Sequence, residues 1–173
     1  MNKLRVLKKE DLLTGDILHC TRNSVLGRLI RWFTKSEFNH SAIVVKAWGE
    51  VYVVDAQRKG VSSRPYDDWM KEFGYSYIVS RPPTNIKNVP YFSKKIFSKV
   101  GTTAYDFTHL LLKHPWYLIS GKWKGKQEND DRNRMVCSEF VAWCWEFKDY
   151  FKITPQRLYE ITKEKEWLFF KSK

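Results

Sequence analysis

The stretch NHSAIVVKAWGEVYVVDAQ, residues 39–57, decides the fold of this chain. It contains two runs rich in β-branched residues, Ser41–Val45 and Val51–Ala56. Between them lies Ala47–Glu50, which includes the glycine that tight hairpin turns favour. The stretch therefore predicts a β-hairpin.

The length of the hairpin loop determines which side chains share a face. With a loop of two or four residues, position 46 faces 51, so that 42 faces 55 and 40 faces 57. Because successive side chains alternate between faces, His40, Asp55 and Gln57 then lie together. Either Asp55 or Gln57 can accept the second N–H of the imidazole. A three-residue loop would place Asp55 on the other face. The structural alternatives are a turn residue at a strand end for Asp55 and a solvated edge for Gln57.

The rest of the chain predicts an α+β domain in which the sheet is built early. Strands are expected at Ile17–Cys20 and Tyr77–Val79, and a polar loop at Gly121–Asn133. Trp167–Phe170 is expected to pack onto the domain. Helices are expected at Ser24–Phe33, Tyr66–Phe73, Phe92–Val100, Tyr105–Lys113, ending before His114-Pro115, and Ser138–Phe147.

Length and composition are typical of one compact domain over residues 1–173. The hydrophobic content of 43% is enough to fill a core. We find no secretory signal or apolar segment long enough to span a membrane, which predicts a soluble, cytoplasmic protein. The net charge of +12 indicates either solvated basic faces or an anionic partner, but no nucleic-acid recognition motif accompanies it.

Cys137 is the strongest candidate for a nucleophile among the three cysteines. It follows the charged segment 130–136 and begins a predicted helix, whose positive end stabilises an anionic sulfur. The alternative is a core cysteine, because Cys137 shares a helix face with Val141 and Cys144. A cysteine nucleophile needs a base, and His40 is the candidate because it begins a buried strand. The other histidines, at positions 19, 109 and 114, are more typical of structural or exposed sites.

Five short motifs occur in a characteristic order along the chain. They are Leu13–Leu18, Asn39–Val44, Val53–Ala56 with Gly60-Val61, Tyr105–Phe107 and Val136–Phe140. With Ile153-Thr154-Pro155, this order resembles that of the permuted NlpC/P60 cysteine peptidases of the YiiX/YaeF type, relatives of the lecithin:retinol acyltransferase group. The resemblance runs from about residue 12 to residue 160.

The resemblance implies a circularly permuted papain-like NlpC/P60 fold, with an antiparallel sheet packed against helices. In that family the histidine strand precedes the helix that begins with the cysteine, as His40 precedes Cys137 here. The resemblance assigns the nucleophile to Cys137, the base to His40 and the third polar group to Asp55, where many relatives have the longer Glu.

The same resemblance implies a set of cleft residues. The family's Gly-Asp pair corresponds to Gly15-Asp16 and its Tyr-Asp pair to Tyr105-Asp106, and both pairs are expected to shape the cleft. A turn and a helix start, respectively, are the structural alternatives. Gln57 and Ser138 complete the predicted substrate-binding residues.

The predicted activity is acyl hydrolysis or transfer through a thioester, on an amide- or ester-containing substrate. The Cys137 thiolate attacks the carbonyl, His40 moves the proton, Asp55 orients His40, and neither a metal nor an organic cofactor is required. Peptidoglycan-type peptides fit the resemblance best.

Two alternatives stay open for the function. A lipid acyl substrate is favoured by the mixed aromatic and cationic residues of segment 114–126, which suit peripheral contact with a membrane but also fit a core element followed by a solvated loop. The other alternative is a non-catalytic basic module that binds an anionic polymer. The oligomeric state is left open.

Overall fold

A computed structural model describes residues 5–22, 27–28, 31–32, 36–74, 76–106, 112–122 and 133–172. Its strands are β1 Val6–Leu7, β2 Ile17–Thr21, β3 His40–Ala47, β4 Glu50–Gln57, β5 Gly60–Pro65, β6 Ser76–Arg81, β7 Ala104–Tyr105, β8 Arg134–Met135 and β9 Leu168–Ser172. Its α-helices are α1 Tyr66–Phe73, α2 Val89–Phe97, α3 His114–Ser120, α4 Cys137–Cys144 and α5 Pro155–Glu164.

The β3–β4 hairpin has the predicted register. Lys46 is paired with Val51, and the ladder runs on to Ile43 and Val54. The turn consists of two residues, Trp48 and Gly49, which both have positive φ angles, 50° and 77°. Such a turn matches the twist of paired strands, and glycine adopts its backbone conformation without strain.

The sheet around this hairpin has seven strands in the order β1-β9-β6-β2-β3-β4-β5. Neighbouring strands are antiparallel, except that β1 and β9 are parallel. The predicted strand at Tyr77–Val79 lies within β6 and pairs with β2. Most of Trp167–Phe170 lies in β9, and Trp167 is buried against Trp145, which confirms that this segment packs onto the domain.

The two faces of the sheet bury different sets of side chains. Ile43 and Val45 of β3 belong to one core cluster, together with the apolar residues of α4. Ala42 and Val44 point the other way, into a second cluster that contains Trp69 of α1. This division follows the alternation of side chains along a strand.

Several predicted helix boundaries were wrong. Tyr105 lies in strand β7, and α3 begins at His114 instead of a helix ending there. Proline lacks an N–H, but the first turn of a helix does not need one, so Pro115 can occupy that turn. Helix α2 likewise starts earlier than predicted, because the Asn88 side chain accepts a hydrogen bond from the Tyr91 N–H at 3.0 Å.

Of the other predicted helices, two are confirmed in position and the rest lie partly outside the described residues. Helix α1 has the predicted bounds, and α4 starts one residue before the predicted helix and ends three residues earlier. Of the predicted helix at 24–33, positions 27–28 and 31–32 are helical, and the others lie outside the described residues. Residues 107–111 of the predicted helix at 105–113 also lie outside them, as do residues 123–132 of the predicted loop. In the described part of the chain we find no helix whose length and apolar character would let it cross a bilayer.

His19 of β2 is a core histidine, one of the structural sites expected from the sequence. It is fully buried, its Nε2 lies 2.8 Å from Ser80 Oγ, and its ring contacts Phe38 and Tyr159. Burial disfavours the charged imidazolium and lowers the pKa of His19 from 6.5 to about 3.

This shift predicts that His19 contributes to acid sensitivity. The unfolded chain takes up the proton near pH 6.5 and the folded chain only near pH 3, so stability is lost as the pH falls through this window. Between pH 7 and pH 5 the loss is about 2 kcal/mol for this residue. Urea unfolding of wild type and His19→Gln at both pH values measures it. A variant with the same pH dependence as wild type would contradict the assignment.

Candidate active site

His40 and Asp55 form a hydrogen-bonded pair at one end of the hairpin. The imidazole Nε2 lies 2.8 Å from Asp55 Oδ2. His40 is buried, and Asp55 has 0% of its surface exposed. Both residues lie beyond the last β3–β4 pair, Ile43 with Val54, on the shared face that the register predicts. The shorter side chain of Asp therefore reaches the imidazole.

Three neighbours surround the same carboxylate. Gln57 Nε2 donates to Asp55 Oδ2 at 2.7 Å, and Trp69 Nε1 donates to the same oxygen at 2.9 Å. Arg64 Nη1 lies 3.5 Å from Oδ1. These groups replace the water that a buried carboxylate has lost. Of the two predicted acceptors for His40, the structure uses Asp55, while Gln57 donates its amide hydrogen to that carboxylate.

Cys137 is the first residue of α4, as the sequence predicts to within one position. The carboxylate of Glu139 accepts the Val136 N–H at 3.3 Å and so caps the start of this helix. Ser138 is fully buried and its hydroxyl donates to the Ile153 carbonyl at 2.6 Å. Helix α4 packs against β3 and β4, which brings its start to the sheet that holds His40 and Asp55.

Cys20 of β2 lies near both the His40–Asp55 pair and Cys137. It is paired with His40 in the β2–β3 ladder and is fully buried. Burial raises the pKa of the Cys20 thiol; the charge of His40 lowers this pKa, and those of Asp55 and Cys137 raise it. The side chains of Cys137, His40 and Asp55 thus lie within electrostatic range of one thiol.

Cys144 lies apart from this group. Burial raises the pKa of its thiol, and the charge of Lys95 opposes that shift. The sequence predicts a core role for Cys20 and Cys144, and both are buried free thiols.

Gly15 and Asp16 hold the turn that leads into β2. Arg81 forms a bidentate pair with Asp16, with Nε donating to Oδ1 at 2.8 Å and Nη2 to Oδ2 at 2.6 Å. Gly15 has φ of 92°, and a Cβ there would lie 2.5 Å from Ile86 Cδ1 and 2.9 Å from Trp145. These contacts give Gly15 and Asp16 a structural role in the turn. Their role in the substrate cleft stays a prediction.

Tyr105 and Asp106 lie beside the segment that leads to Cys137. Tyr105 is paired with Met135 in the parallel β7–β8 ladder, and the Asp106 N–H donates to the Met135 carbonyl at 3.3 Å. The predicted structural alternative, a helix start, was wrong at Tyr105, because the residue is in a strand. Substrate binding by Tyr105, Ser138 and Gln57 stays a prediction.

Arg64 and Trp69 were not predicted from the sequence. Arg64 lies in β5, a strand that was not predicted because Gly60–Pro65 does not alternate between polar and apolar residues. The turn at Arg58 and Lys59 could have predicted this strand. It pairs Gln57 with Gly60, and the same register places Arg64 opposite Val53. No sequence pattern indicates that Trp69 contacts Asp55, because this contact depends on how α1 packs on the sheet.

Known proteins provide independent information on this fold. The family model for the permuted papain-like amidases, the YaeF/YiiX or C92 family, matches residues 11–167. The chain belongs to this family. Its α+β architecture, with a mainly antiparallel sheet and helices, is therefore that of a permuted papain-like amidase, and the family resemblance seen in the sequence is confirmed.

A solved structure supports the same fold. The metalloprotein YiiX from Escherichia coli O157:H7 superposes with a TM-score of 0.58 at 22% identity. The match covers 78% of this chain and 64% of that one, so the chain spans less than two thirds of the length of YiiX. None of the curated proteins matches the chain. Within the described ranges, we find no cluster of three or more His, Cys, Asp or Glu side chains that could hold a metal ion.

Replacement of Gly15 by alanine tests the turn. Gly15→Ala is expected to lower the free energy of unfolding by about 1–3 kcal/mol more than Gly49→Ala. Both positions have positive φ, but the space around a Cβ at Gly49 is open whereas at Gly15 it is occupied. Chemical denaturation of the two variants measures the difference. Equal losses would show that the crowding at Gly15 has no energetic effect.

Replacement of Trp69 by phenylalanine tests the environment of Asp55. Trp69→Phe removes one donor from a buried carboxylate, and we expect a loss of about 1–3 kcal/mol in unfolding free energy. Trp145→Phe is the matched control, because the buried Nε1 of Trp145 has no hydrogen-bond partner among the described residues. Thermal or urea unfolding compares the two. A loss at Trp69 no larger than at Trp145 would contradict a role for the indole N–H.

Proposed function

We propose that this chain is a cysteine amidase in which Cys137 is the nucleophile, His40 the base and Asp55 the group that orients His40. The observation that carries the proposal is the buried His40–Asp55 pair, which shares its electrostatic neighbourhood with a cysteine at a helix start. Membership in a family of papain-like amidases supports an enzymatic role.

The geometry suggests how the proton moves. Asp55 accepts a hydrogen bond from Nε2–H of His40, so Nδ1 is the nitrogen that takes the proton from the Cys137 thiol. The thiolate then attacks the carbonyl carbon of the amide, and the imidazolium gives its proton to the departing amine. This step leaves a thioester on Cys137.

Hydrolysis completes the cycle. His40 removes a proton from water, the hydroxide attacks the thioester, and the acid and the free thiol are released. Asp55 stabilises the imidazolium in both half-reactions and keeps the ring in one tautomer. Backbone N–H groups at the start of α4 are suited to stabilise the oxyanion.

A pocket of about 420 Å³ is our candidate for substrate binding, although Cys137, His40 and Asp55 are not among its lining residues. Two hydrogen bonds connect its lining to neighbours of Cys137 and His40. Ile153 lines it and accepts the hydrogen bond from Ser138, the neighbour of Cys137. Gln156 also lines it, and its Oε1 accepts the Glu37 N–H at 3.2 Å, three residues before His40. The pocket presents both cationic and anionic side chains, which suits a charged peptide such as those of peptidoglycan.

The first test is the reactivity of Cys137. We expect iodoacetamide to alkylate Cys137 rapidly already near pH 6, because His40 holds the thiol proton, and His40→Ala to lose this reactivity below pH 8. Mass spectrometry of peptides assigns the modified residue, and Cys20 and Cys144 are internal controls because burial raises their pKa values.

The second test is catalysis. Wild-type protein should release amine from peptidoglycan-type peptides, and Cys137→Ala should lose this activity while retaining its fold by circular dichroism. If His40→Ala leaves the alkylation profile of Cys137 unchanged, the assignment of nucleophile and base fails, and the chain is better described as a basic binding module.

A further inference from the structure

Large apolar side chains are exposed on helix α3 and at Leu112, which lies in the helical turn just before α3. Leu112, Trp116 and Ile119 are 66%, 42% and 82% exposed. Their spacing of four and three residues places them on one side of a helix. Helices α2 and α5 bury comparable residues, such as Ile96 and Leu158. We call the three residues the α3 stripe.

The segment that carries the α3 stripe has positive charges only. Residues 112–122 contain Lys113 and Lys122 and no Asp or Glu. Lys148 and Lys152 line the same pocket as Tyr117 of α3, together with Asp149, which lies 3.9 Å from Lys152, and Glu160. An apolar row flanked by lysines is complementary to a bilayer whose headgroups are anionic, because the side chains enter the acyl boundary while the ammonium groups remain among phosphates.

We propose that the α3 stripe docks this protein onto anionic bilayers as a peripheral membrane protein. Docking would place the pocket between Tyr117 and Lys152 close to the lipid surface, since Tyr117 belongs to the same helix. The chain carries a formal charge of +12, which adds long-range attraction to such a surface. The proposal does not depend on the chemistry assigned to Cys137.

Sedimentation with vesicles tests the docking. Vesicles of equal parts phosphatidylcholine and phosphatidylglycerol should bind the protein, and vesicles of phosphatidylcholine alone should bind it at least about tenfold more weakly. A Leu112→Ser/Ile119→Ser variant should lose about tenfold or more in partition coefficient on the anionic vesicles, because it loses the side chains that enter the acyl boundary.

The control removes exposed apolar surface elsewhere. Trp48, 83% exposed in the β3–β4 turn, is replaced by serine, and Trp48→Ser should bind as wild type does. Cys137→Ala should also bind normally, which separates docking from catalysis. Circular dichroism confirms that each variant is folded.

Three results would overturn the proposal. Wild type could fail to sediment with anionic vesicles, or the stripe variant could bind as well as Trp48→Ser does. Alternatively, size-exclusion chromatography could show a wild-type dimer that the stripe variant converts to a monomer without any vesicle binding, in which case a second copy of the chain covers the stripe.

Discussion

The carboxylate of Asp55, which has no contact with solvent, lies where strands β3, β4 and β5 and helix α1 meet. Each of these elements contributes one group to it: the imidazole of His40, the amide of Gln57, the guanidinium of Arg64 and the indole of Trp69. A buried carboxylate is tolerated only when such partners replace its hydration. The requirement fixes how α1 and β5 are placed against the hairpin, and it holds His40 in one orientation.

The site also depends on the alternation of side chains along β3. Helix α4 packs on the face that carries Ile43 and Val45, whereas His40 belongs to the face that points toward Trp69. Cys137 and His40 are the first residues of α4 and β3, so the site lies at the ends of these elements, past the last β3–β4 pair. Adding or removing one residue in β3 would turn His40 to the opposite face and separate it from Asp55.

The features of the candidate site that depend on local sequence patterns, namely the strand register and the helix start, could be predicted from the sequence. The two-residue turn at Trp48 and Gly49 sets the register, and the register alone puts His40 and Asp55 on one face. Cys137 was predicted at a helix start because a polar, charged segment precedes an apolar helical pattern. Arg64 and Trp69 escaped prediction because their contacts with Asp55 depend on how a third strand and a helix pack. The start of α3 was misjudged because proline both ends helices and occupies their first turn.

The order of the elements has a consequence for how the site assembles during folding. His40 and Asp55 are 15 residues apart and come together when one hairpin closes. Cys137 follows His40 by 97 residues, and closing that longer loop costs about 2 kcal/mol more in chain entropy than closing the hairpin. The hairpin therefore closes at the lower entropic cost, and His40 and Asp55 can come together before Cys137 packs beside them. Strand β5 and helix α1, which supply Arg64 and Trp69, also precede Cys137 in the chain. In a chain still emerging from the ribosome, the proposed base and its carboxylate can therefore be assembled with these partners before the proposed nucleophile is available.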